Sequence, residues 1–258
     1  MPTVNVLGHP TWYTVQGSGE ETLLLLHGGM SSSSLLLDSI GGRLSASTRV
    51  AAFDRRGHGR TADTSEAFHY ESMVDETIAV IEHIGGPVHI VGWSDGGIVG
   101  VLLGLRRPDL IGRLVLIGAN FHWNALRYLG FDAARNQDPA AVAGPILTAQ
   151  YAELSPDGPD HWAVVIAKTL DMWCTEPEMS VEDLSRVSVP VLLMSGDDDV
   201  PLGHLFEFFA ALPEAQLSIV PGASHALPLE HPREVVGVIE RFLRSEIPPV
   251  TMMPARRR

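Results

Sequence analysis

One serine of this chain lies in a pattern typical of nucleophilic catalysis. The segment Gly92-Trp93-Ser94-Asp95-Gly96 directly follows an apolar run at 88–91 and opens a helical pattern over 94–107. A G-x-S-x-G turn between a strand and a helix is a nucleophile elbow, and it is so sharp that glycines are needed two residues before and after the serine. The serine hydroxyl then lies at a helix N-terminus, where partial positive charge favours a developing oxyanion. The pattern predicts that Ser94 is a nucleophile.

A serine near neutral pH needs a general base, and the chain offers eleven histidines. His225 lies on the segment between the last predicted strand, at 216–220, and the last predicted helix, at 231–244. That is the third place in the chain order serine, acid, histidine. His27 and His58 are expected to stabilise loops instead. The order of the elements therefore predicts His225 as the base.

Three consecutive carboxylates could orient that histidine. Asp197, Asp198 and Asp199 follow Gly196 and the apolar run at 189–194. In a turn that leaves a strand, successive side chains point in different directions, so only one carboxylate can face His225. The residues by themselves leave Asp198 and Asp199 open for this role.

Backbone amides are predicted to stabilise the oxyanion. Leu26-His27-Gly28-Gly29-Met30 closes the first long strand, and the loop after this strand usually supplies one donor. Gly29 is the expected donor, with Met30 as the alternative. The second donor is expected to be the amide of Asp95, the residue after the nucleophile.

The elements that must position these residues alternate between strands and helices. Apolar runs predict strands at 22–26, 50–53, 88–91, 114–117, 189–194 and 216–220. Helical patterns cover 34–45, 70–84, 94–107, 203–212 and 231–244. This alternation predicts an α/β protein with a mostly parallel sheet covered by helices on both faces. Residues 4–15 predict an antiparallel hairpin at one edge, with its turn at 8–10.

The alternation breaks between residues 120 and 186, where the patterns are helical only and aromatic residues are frequent. We therefore predict a core of residues 1–119 and 187–258 and a helical cap of residues 120–186. Open α/β sheets bind ligands at the carboxyl ends of their strands, so the cap is expected to cover the site. Trp123 from the cap and Met30 are expected to contact substrate. Alternatively, the aromatic residues form a small core of the cap itself.

Composition restricts the partners. The formal net charge of −13 repels nucleic-acid backbones, so a small molecule is the expected partner. The single cysteine permits no intrachain disulfide, and no apolar run approaches the ~18 residues of a membrane span. The N-terminal residues do not resemble a signal peptide, and residues 256–258 are expected to be a frayed basic tail. We expect a cytoplasmic protein without metal or cofactor, as a monomer or a homodimer.

With these motifs in order, the chain resembles the α/β-hydrolase superfamily along nearly its whole length. Residues 54–59 match the loop after the second parallel strand of that superfamily, and residues 225–232 match its histidine loop. The resemblance implies a mostly parallel eight-stranded sheet with helices on both faces and a helical cap. Gly196-Asp197-Asp198-Asp199 fits the G-x-x-D pattern of the superfamily, which implies that Asp199 is the acid.

The nucleophile segment is also similar to a narrower group. Residues 92–98 and 117–120 resemble the valacyclovirase (biphenyl-hydrolase-like) α-amino-acid ester hydrolases. In that group the aspartate after the nucleophile helps to bind the ammonium group of the substrate, which implies this role for Asp95. The alternative is that Asp95 is an acidic residue favoured in the first turn of a helix, by about 0.3–1 kcal/mol.

Together these features predict a hydrolase of small carboxylic esters that acts through a Ser94–His225–Asp199 triad and an acyl-enzyme. The same triad serves carbon–carbon bond hydrolases, enol-lactonases and haloperoxidase-type perhydrolases, which remain alternatives. From another class, a non-catalytic ligand receptor could keep the fold.

Overall fold

A computed structural model describes residues 2–46, 48–134 and 137–253. The expected basic tail at 256–258 therefore lies outside the described residues. One sheet runs through the molecule in the order β1-β2-β4-β3-β5-β6-β7-β8. Its strands are β1 (Thr3–Val6), β2 (His9–Gln16), β3 (Thr22–Leu26), β4 (Arg49–Phe53), β5 (Val88–Trp93), β6 (Ile111–Ile117), β7 (Val191–Asp198) and β8 (Ala215–Ser224).

Helices cover the sheet and fill the long β6–β7 connection. The α-helices are α1 (Ser33–Leu36), α2 (Gly42–Leu44), α3 (Tyr70–Ile84), α4 (Asp95–Arg106), α5 (Phe131–Ala134), α6 (Pro139–Leu154), α7 (Trp162–Trp173), α8 (Val181–Leu184), α9 (Leu202–Ala211), α10 (Leu227–Glu230) and α11 (Pro232–Arg244). A π-helical turn at Leu37–Gly41 joins α1 to α2. Short 3-10 helices occur at Pro108–Leu110, Trp123–Leu129 and Pro159–His161.

The sheet separates two apolar cores, as the alternation of side chains along β3 shows. Leu24 and Leu26 pack into the core on one face, whereas Leu23 and Leu25 pack into the core on the other. Successive side chains of a strand point to opposite faces, so a strand buried on both sides must be apolar at every position. The β1–β2 and β2–β4 pairs are antiparallel. The remaining neighbours in the order β4-β3-β5-β6-β7-β8 are parallel. The predicted mostly parallel eight-stranded α/β sheet is thus confirmed.

Two local details differ from the sequence prediction. The hairpin turn consists of Leu7 and Gly8, with φ of 53° and 90°, rather than of residues 8–10. Two consecutive positive φ angles match the right-handed twist of the flanking strands. Strand β7 also continues through the aspartates as far as Asp198, which pairs with Ser224 across a register shift. The carboxylate segment is therefore the irregular end of a strand rather than a free turn.

Residues 120–186 of the β6–β7 connection are here called the helical insertion. Apart from a single bridge between His122 and Glu178, its described residues form helices and irregular segments. Helix α6 is interrupted at Gly144, which has a φ of 76°. Helix α7 buries Trp162 and neighbouring apolar side chains in the same core as α3 and α4. Across the described residues, no helix has the length and apolar character needed to cross a bilayer.

Candidate active site

The backbone of the β5–α4 turn is held in a strained form at Ser94, with φ of 54° and ψ of −120°. A Cβ atom on Gly92 would lie 2.2 Å from the carbonyl oxygen of Gly96, and one on Gly96 would lie 2.1 Å from that of Leu26. Both positions therefore exclude any side chain. The amide of Ser94 donates to the carbonyl of Ile117 at 2.8 Å, which ties the turn to the end of β6. This packing presents the Ser94 side chain at the carboxyl edge of the sheet.

Three predicted residues from three separate strand ends form one hydrogen-bonded chain. His225 Nε2 lies 3.0 Å from Ser94 Oγ, and His225 Nδ1 lies 2.7 Å from Asp199 Oδ1. The Asp199 side chain is 2% exposed, whereas that of His225 is 49% exposed. The second oxygen of Asp199 accepts a hydrogen bond from the Ser195 hydroxyl at 3.1 Å. The carboxylate is thus fixed and buried while the imidazole reaches the solvent side.

The other two aspartates of the segment point elsewhere. Asp197 Oδ1 accepts a hydrogen bond from the Gly222 amide at 2.7 Å, on the neighbouring loop. Asp198 is exposed and lines the cavity beside Ser94. Of the three carboxylates, the structure brings Asp199 to His225, as the G-x-x-D resemblance implied.

Two contacts around this chain were not anticipated from the sequence. Gly118 has a φ of 60°, and a Cβ atom there would lie 3.0 Å from both Asp199 Oδ2 and His225 Nδ1. The Trp93 indole donates to the carbonyl of His225 at 2.8 Å and holds its loop. The position of Gly118 after a parallel strand is the signal that could have identified it.

The loop after β3 passes close to Ser94. A Cβ atom on Gly28 would lie 3.3 Å from Ser94 Cβ, and one on Gly29 would lie 2.4 Å from Asp95 Oδ2. The amide of Asp95 is the first of helix α4, so it has no partner within that helix. Gly29 and Asp95 thus lie side by side next to Ser94. This proximity fits the predicted pair of amide donors.

Met30 lies outside the cavity beside Ser94, where it was expected to contact substrate. It has a φ of 57° and is 5% exposed in the main core. It lines a separate small cleft with Tyr151 rather than the cavity beside Ser94. The left-handed backbone turns the side chain into the core, so the expected contact between Met30 and substrate is not supported.

Asp95 is buried and hydrogen-bonded by two side chains that no sequence motif indicated, Tyr70 and Trp173. Its Oδ1 atom accepts hydrogen bonds from the Tyr70 hydroxyl at 2.8 Å and from the Trp173 indole at 2.9 Å. Its buried Oδ2 atom has no hydrogen-bond partner in the described chain. Burial raises the pKa of Asp95, while the charge of Arg55 and the two hydrogen bonds oppose this shift. Trp173 thereby links the helical insertion to helix α4.

A cavity of about 460 Å³ opens beside these groups. Core loops and the helical insertion both contribute to its walls, and Trp123 lies in them as expected. Its described lining residues include four carboxylates and no lysine or arginine. They are Tyr70, Ser94, Asp95, Asn120, Trp123, Leu126, Leu129, Phe131, Trp173, Glu176, Asp198, Asp199, Ser224 and His225.

Glu176 is a further lining residue that sequence reasoning missed. Its two oxygens lie 2.6 Å from His69 Nδ1 and 3.0 Å from the Tyr70 amide, so the carboxylate is held at the N-terminus of α3. Its side chain is 27% exposed. No motif surrounds Glu176, and its position depends on how the insertion folds back onto the core.

Comparisons with known proteins agree with this architecture. The sequence profile described as "Alpha/beta hydrolase family" matches residues 23–238. A candidate carbamate hydrolase, RutD, of Rhizobium rhizogenes is 25% identical over 222 residues, which cover 78% of this chain and 85% of the relative. The pimeloyl-[acyl-carrier protein] methyl ester esterase of Nitrosomonas europaea is 26% identical over 255 residues, 87% of this chain and 96% of the relative.

A third relative acts on an acid. The 2-hydroxy-6-oxo-6-(2'-aminophenyl)hexa-2,4-dienoic acid hydrolase of Metapseudomonas resinovorans is 24% identical over 263 residues, 93% of this chain and 89% of the relative. Among solved structures, the serine hydrolase CarC, involved in carbazole degradation, superposes with a TM-score of 0.76 at 24% identity, covering 94% of this chain and 97% of that one. That likeness concerns the fold. Because the family profile spans most of the sequence, the chain belongs to the alpha/beta hydrolase family.

Proposed function

We propose that this protein is a serine hydrolase that cleaves small carboxylic esters through a Ser94–His225–Asp199 triad. The observation that carries the proposal is the unbroken hydrogen-bonded chain from Ser94 Oγ through His225 to the buried carboxylate of Asp199. The serine end of this chain opens into a cavity whose walls include several aromatic and aliphatic side chains. Such a site combines an activated nucleophile with space for an acyl group.

Each group has a distinct step in the proposed mechanism. Ser94 Oγ attacks the ester carbonyl while His225 Nε2 takes the hydroxyl proton, and Asp199 stabilises the imidazolium through Nδ1–H. The amides of Gly29 and Asp95 donate to the oxyanion of the tetrahedral intermediate. His225 then protonates the leaving alkoxide. Water, activated by the same imidazole, releases the acid from the acyl-enzyme.

We further propose that the preferred substrates are uncharged or cationic near the reacting carbonyl, amino-acid esters among them. Glu176 and Asp198 line the cavity, and no lysine or arginine does so among its described residues. We assign ammonium recognition to these two carboxylates rather than to Asp95, because Asp198 is exposed and the Glu176 side chain is 27% exposed, whereas Asp95 is buried. A carboxylate substrate, such as the dienoic acid named for the Metapseudomonas relative, would meet like charges here.

The nucleophile is tested with p-nitrophenyl esters of short acids. Ser94→Ala should abolish turnover and labelling by a fluorophosphonate probe, while thermal unfolding followed by circular dichroism stays close to that of the wild type. Stoichiometric labelling of the wild type would also exclude the receptor alternative. Full esterase activity in Ser94→Ala would overturn the assignment.

The charge preference is tested with a matched set of p-nitrophenyl esters. The butyrate is neutral, the hydrogen succinate places a carboxylate at a similar distance, and an α-amino-acid ester supplies an ammonium group. We expect kcat/KM for the succinate to be at least about tenfold below that for the butyrate, since 1.4 kcal/mol of repulsion gives that factor. Preference for the succinate, or faster cleavage of a dienoic acid, would favour the carbon–carbon bond hydrolases instead.

A further inference from the structure

Arg55 is a fully buried cation to which the proposed mechanism assigns no part. It follows β4 by two residues and is 0% exposed. Burying a guanidinium costs free energy unless hydrogen bonds compensate for the lost water. Arg55 contacts the loop of residues 27–30, which carries the predicted oxyanion donor Gly29. These contacts indicate which part of the site the buried charge stabilises.

The hydrogen bonds of Arg55 go to this loop rather than to a carboxylate. Its Nη1 donates to the carbonyl of His27 at 2.7 Å, and its Nη2 donates to the carbonyl of Gly28 at 3.1 Å. Its backbone amide donates to His27 Nε2 at 3.1 Å. Arg55 therefore donates hydrogen bonds to the carbonyls of His27 and Gly28 and to the imidazole of His27.

The second of these carbonyls is held twice. Because His27 Nε2 accepts from the Arg55 amide, the proton of the neutral ring lies on Nδ1. Nδ1 is 2.7 Å from the carbonyl oxygen of Gly28 and donates to it. Burial lowers the pKa of His27 well below its usual value, and the nearby charge of Arg55 acts in the same direction. The ring thus remains neutral and keeps this tautomer.

Fixing the Gly28 carbonyl also fixes the next amide. In the described chain the cis peptide bonds all precede proline, so the bond between Gly28 and Gly29 is trans. A trans peptide is planar, and its N–H points opposite to its C=O. Two donors on the Gly28 oxygen therefore aim the Gly29 N–H away from Arg55. A cationic donor on the carbonyl also polarises the peptide and strengthens its N–H as a donor.

We propose that Arg55 is a positioning residue of the oxyanion hole, which orients and polarises the Gly28–Gly29 peptide so that its N–H stabilises the oxyanion formed at Ser94. The inference rests on the proposed function, since it requires a tetrahedral intermediate. The Asp95 carboxylate also lies against Gly29, where a Cβ atom would be 2.4 Å from Oδ2, and so restricts the position of this residue.

The test compares Arg55→Met, which keeps much of the volume but removes the donors, with Arg55→Lys, which keeps the charge but not the two-pronged grip. We expect kcat for p-nitrophenyl butyrate to fall by about 10²-fold in Arg55→Met, near the lower end of the loss for one oxyanion donor, with KM little changed. Arg55→Lys should recover part of this loss. If Arg55→Met does not fold, Arg55→Lys is the test: a lower kcat supports the positioning role, and an unchanged kcat overturns it.

A second measurement separates positioning from general damage. A boronic acid forms a tetrahedral adduct with the Ser94 hydroxyl and places one oxygen in the hole, so its inhibition constant should rise in parallel with the loss of kcat. Arg49→Met is the matched control, because Arg49 also donates to a backbone carbonyl, that of Ile84, but lies at the start of β4, at the opposite edge of the sheet from Ser94. Its kcat and inhibition constant should match those of the wild type.

Three results would overturn the role of Arg55: unchanged kcat in the folded variants, a loss confined to KM, or a fall in kcat without weaker boronate binding. The proposed function fails in a different way, because the wild type would then neither hydrolyse the esters nor bind the boronic acid. The two failures are therefore distinguishable in the same set of assays.

Discussion

The loops at the strand ends and the helical insertion contribute differently to the same cavity. In the strand-end loops, close backbone packing at Gly92, Gly96 and Gly118 surrounds Ser94, Asp199 and His225. In the insertion, the cavity wall includes the 3-10 segment Trp123–Leu129, together with Phe131 at the start of α5 and Trp173 and Glu176 at and after the end of α7. For the proposed hydrolase we therefore expect the strand-end loops to carry the chemistry and the insertion to select the acyl and alcohol groups that fit.

Polar side chains attach the insertion to the core. Asp63, which is almost completely buried, accepts hydrogen bonds from Lys168 at 2.7 Å and from His161 at 2.8 Å, both on the insertion. Glu176 makes a similar attachment at His69. Such side-chain contacts tolerate small displacements better than the backbone packing of the strand ends does. We therefore expect substitutions in the two regions to change different kinetic constants.

The largest effect is expected at the buried carboxylate of the core. Asp199→Asn should lower kcat by about 10³–10⁴-fold, because an amide at this position no longer stabilises the correct tautomer and the imidazolium of His225. Asp198→Asn is the matched control and should leave kcat for p-nitrophenyl butyrate nearly unchanged. Steady-state kinetics of both variants decides between the neighbouring carboxylates, and the reverse order of effects would assign the role to Asp198.

The next effect tests whether backbone packing holds the nucleophile. Gly96→Ala places a methyl group against the carbonyl of Leu26, so we expect a loss of esterase activity and a fall in the free energy of unfolding of about 1–3 kcal/mol. Gly237→Ala, in α11, meets no atom within 4 Å and should stabilise the protein by up to about 1 kcal/mol. Urea unfolding and esterase assays measure both. Full activity in Gly96→Ala would contradict the strained-turn account.

The smallest effect is expected in the insertion, on selectivity. Leu126→Trp reduces the cavity, so kcat/KM for p-nitrophenyl octanoate should fall by about 10- to 100-fold relative to that for the acetate. Leu202→Trp, a surface change in α9, serves as the control. Equal losses for both esters would mean that Leu126 affects the chemistry, and the division between the two regions would not hold.

The elements of the core follow directly from local sequence. Unbroken apolar runs such as Leu23–Leu26 specify strands buried on both faces, and the glycines around Ser94 specify a turn that only they can form. The order of the motifs along the chain then selects His225 among eleven histidines. These features are readable because each depends on residues close together in sequence.

Only the tertiary structure decided which distant side chains meet. Tyr70 and Trp173 converge on Asp95 from helices α3 and α7, and Arg55 reaches His27 from the end of another strand. Met30 turned into the core because its backbone adopts a left-handed conformation. Local propensity and periodicity carry no information about contacts between residues so far apart in the chain. Those contacts are fixed when the two cores close on either face of the sheet and the insertion packs over its edge.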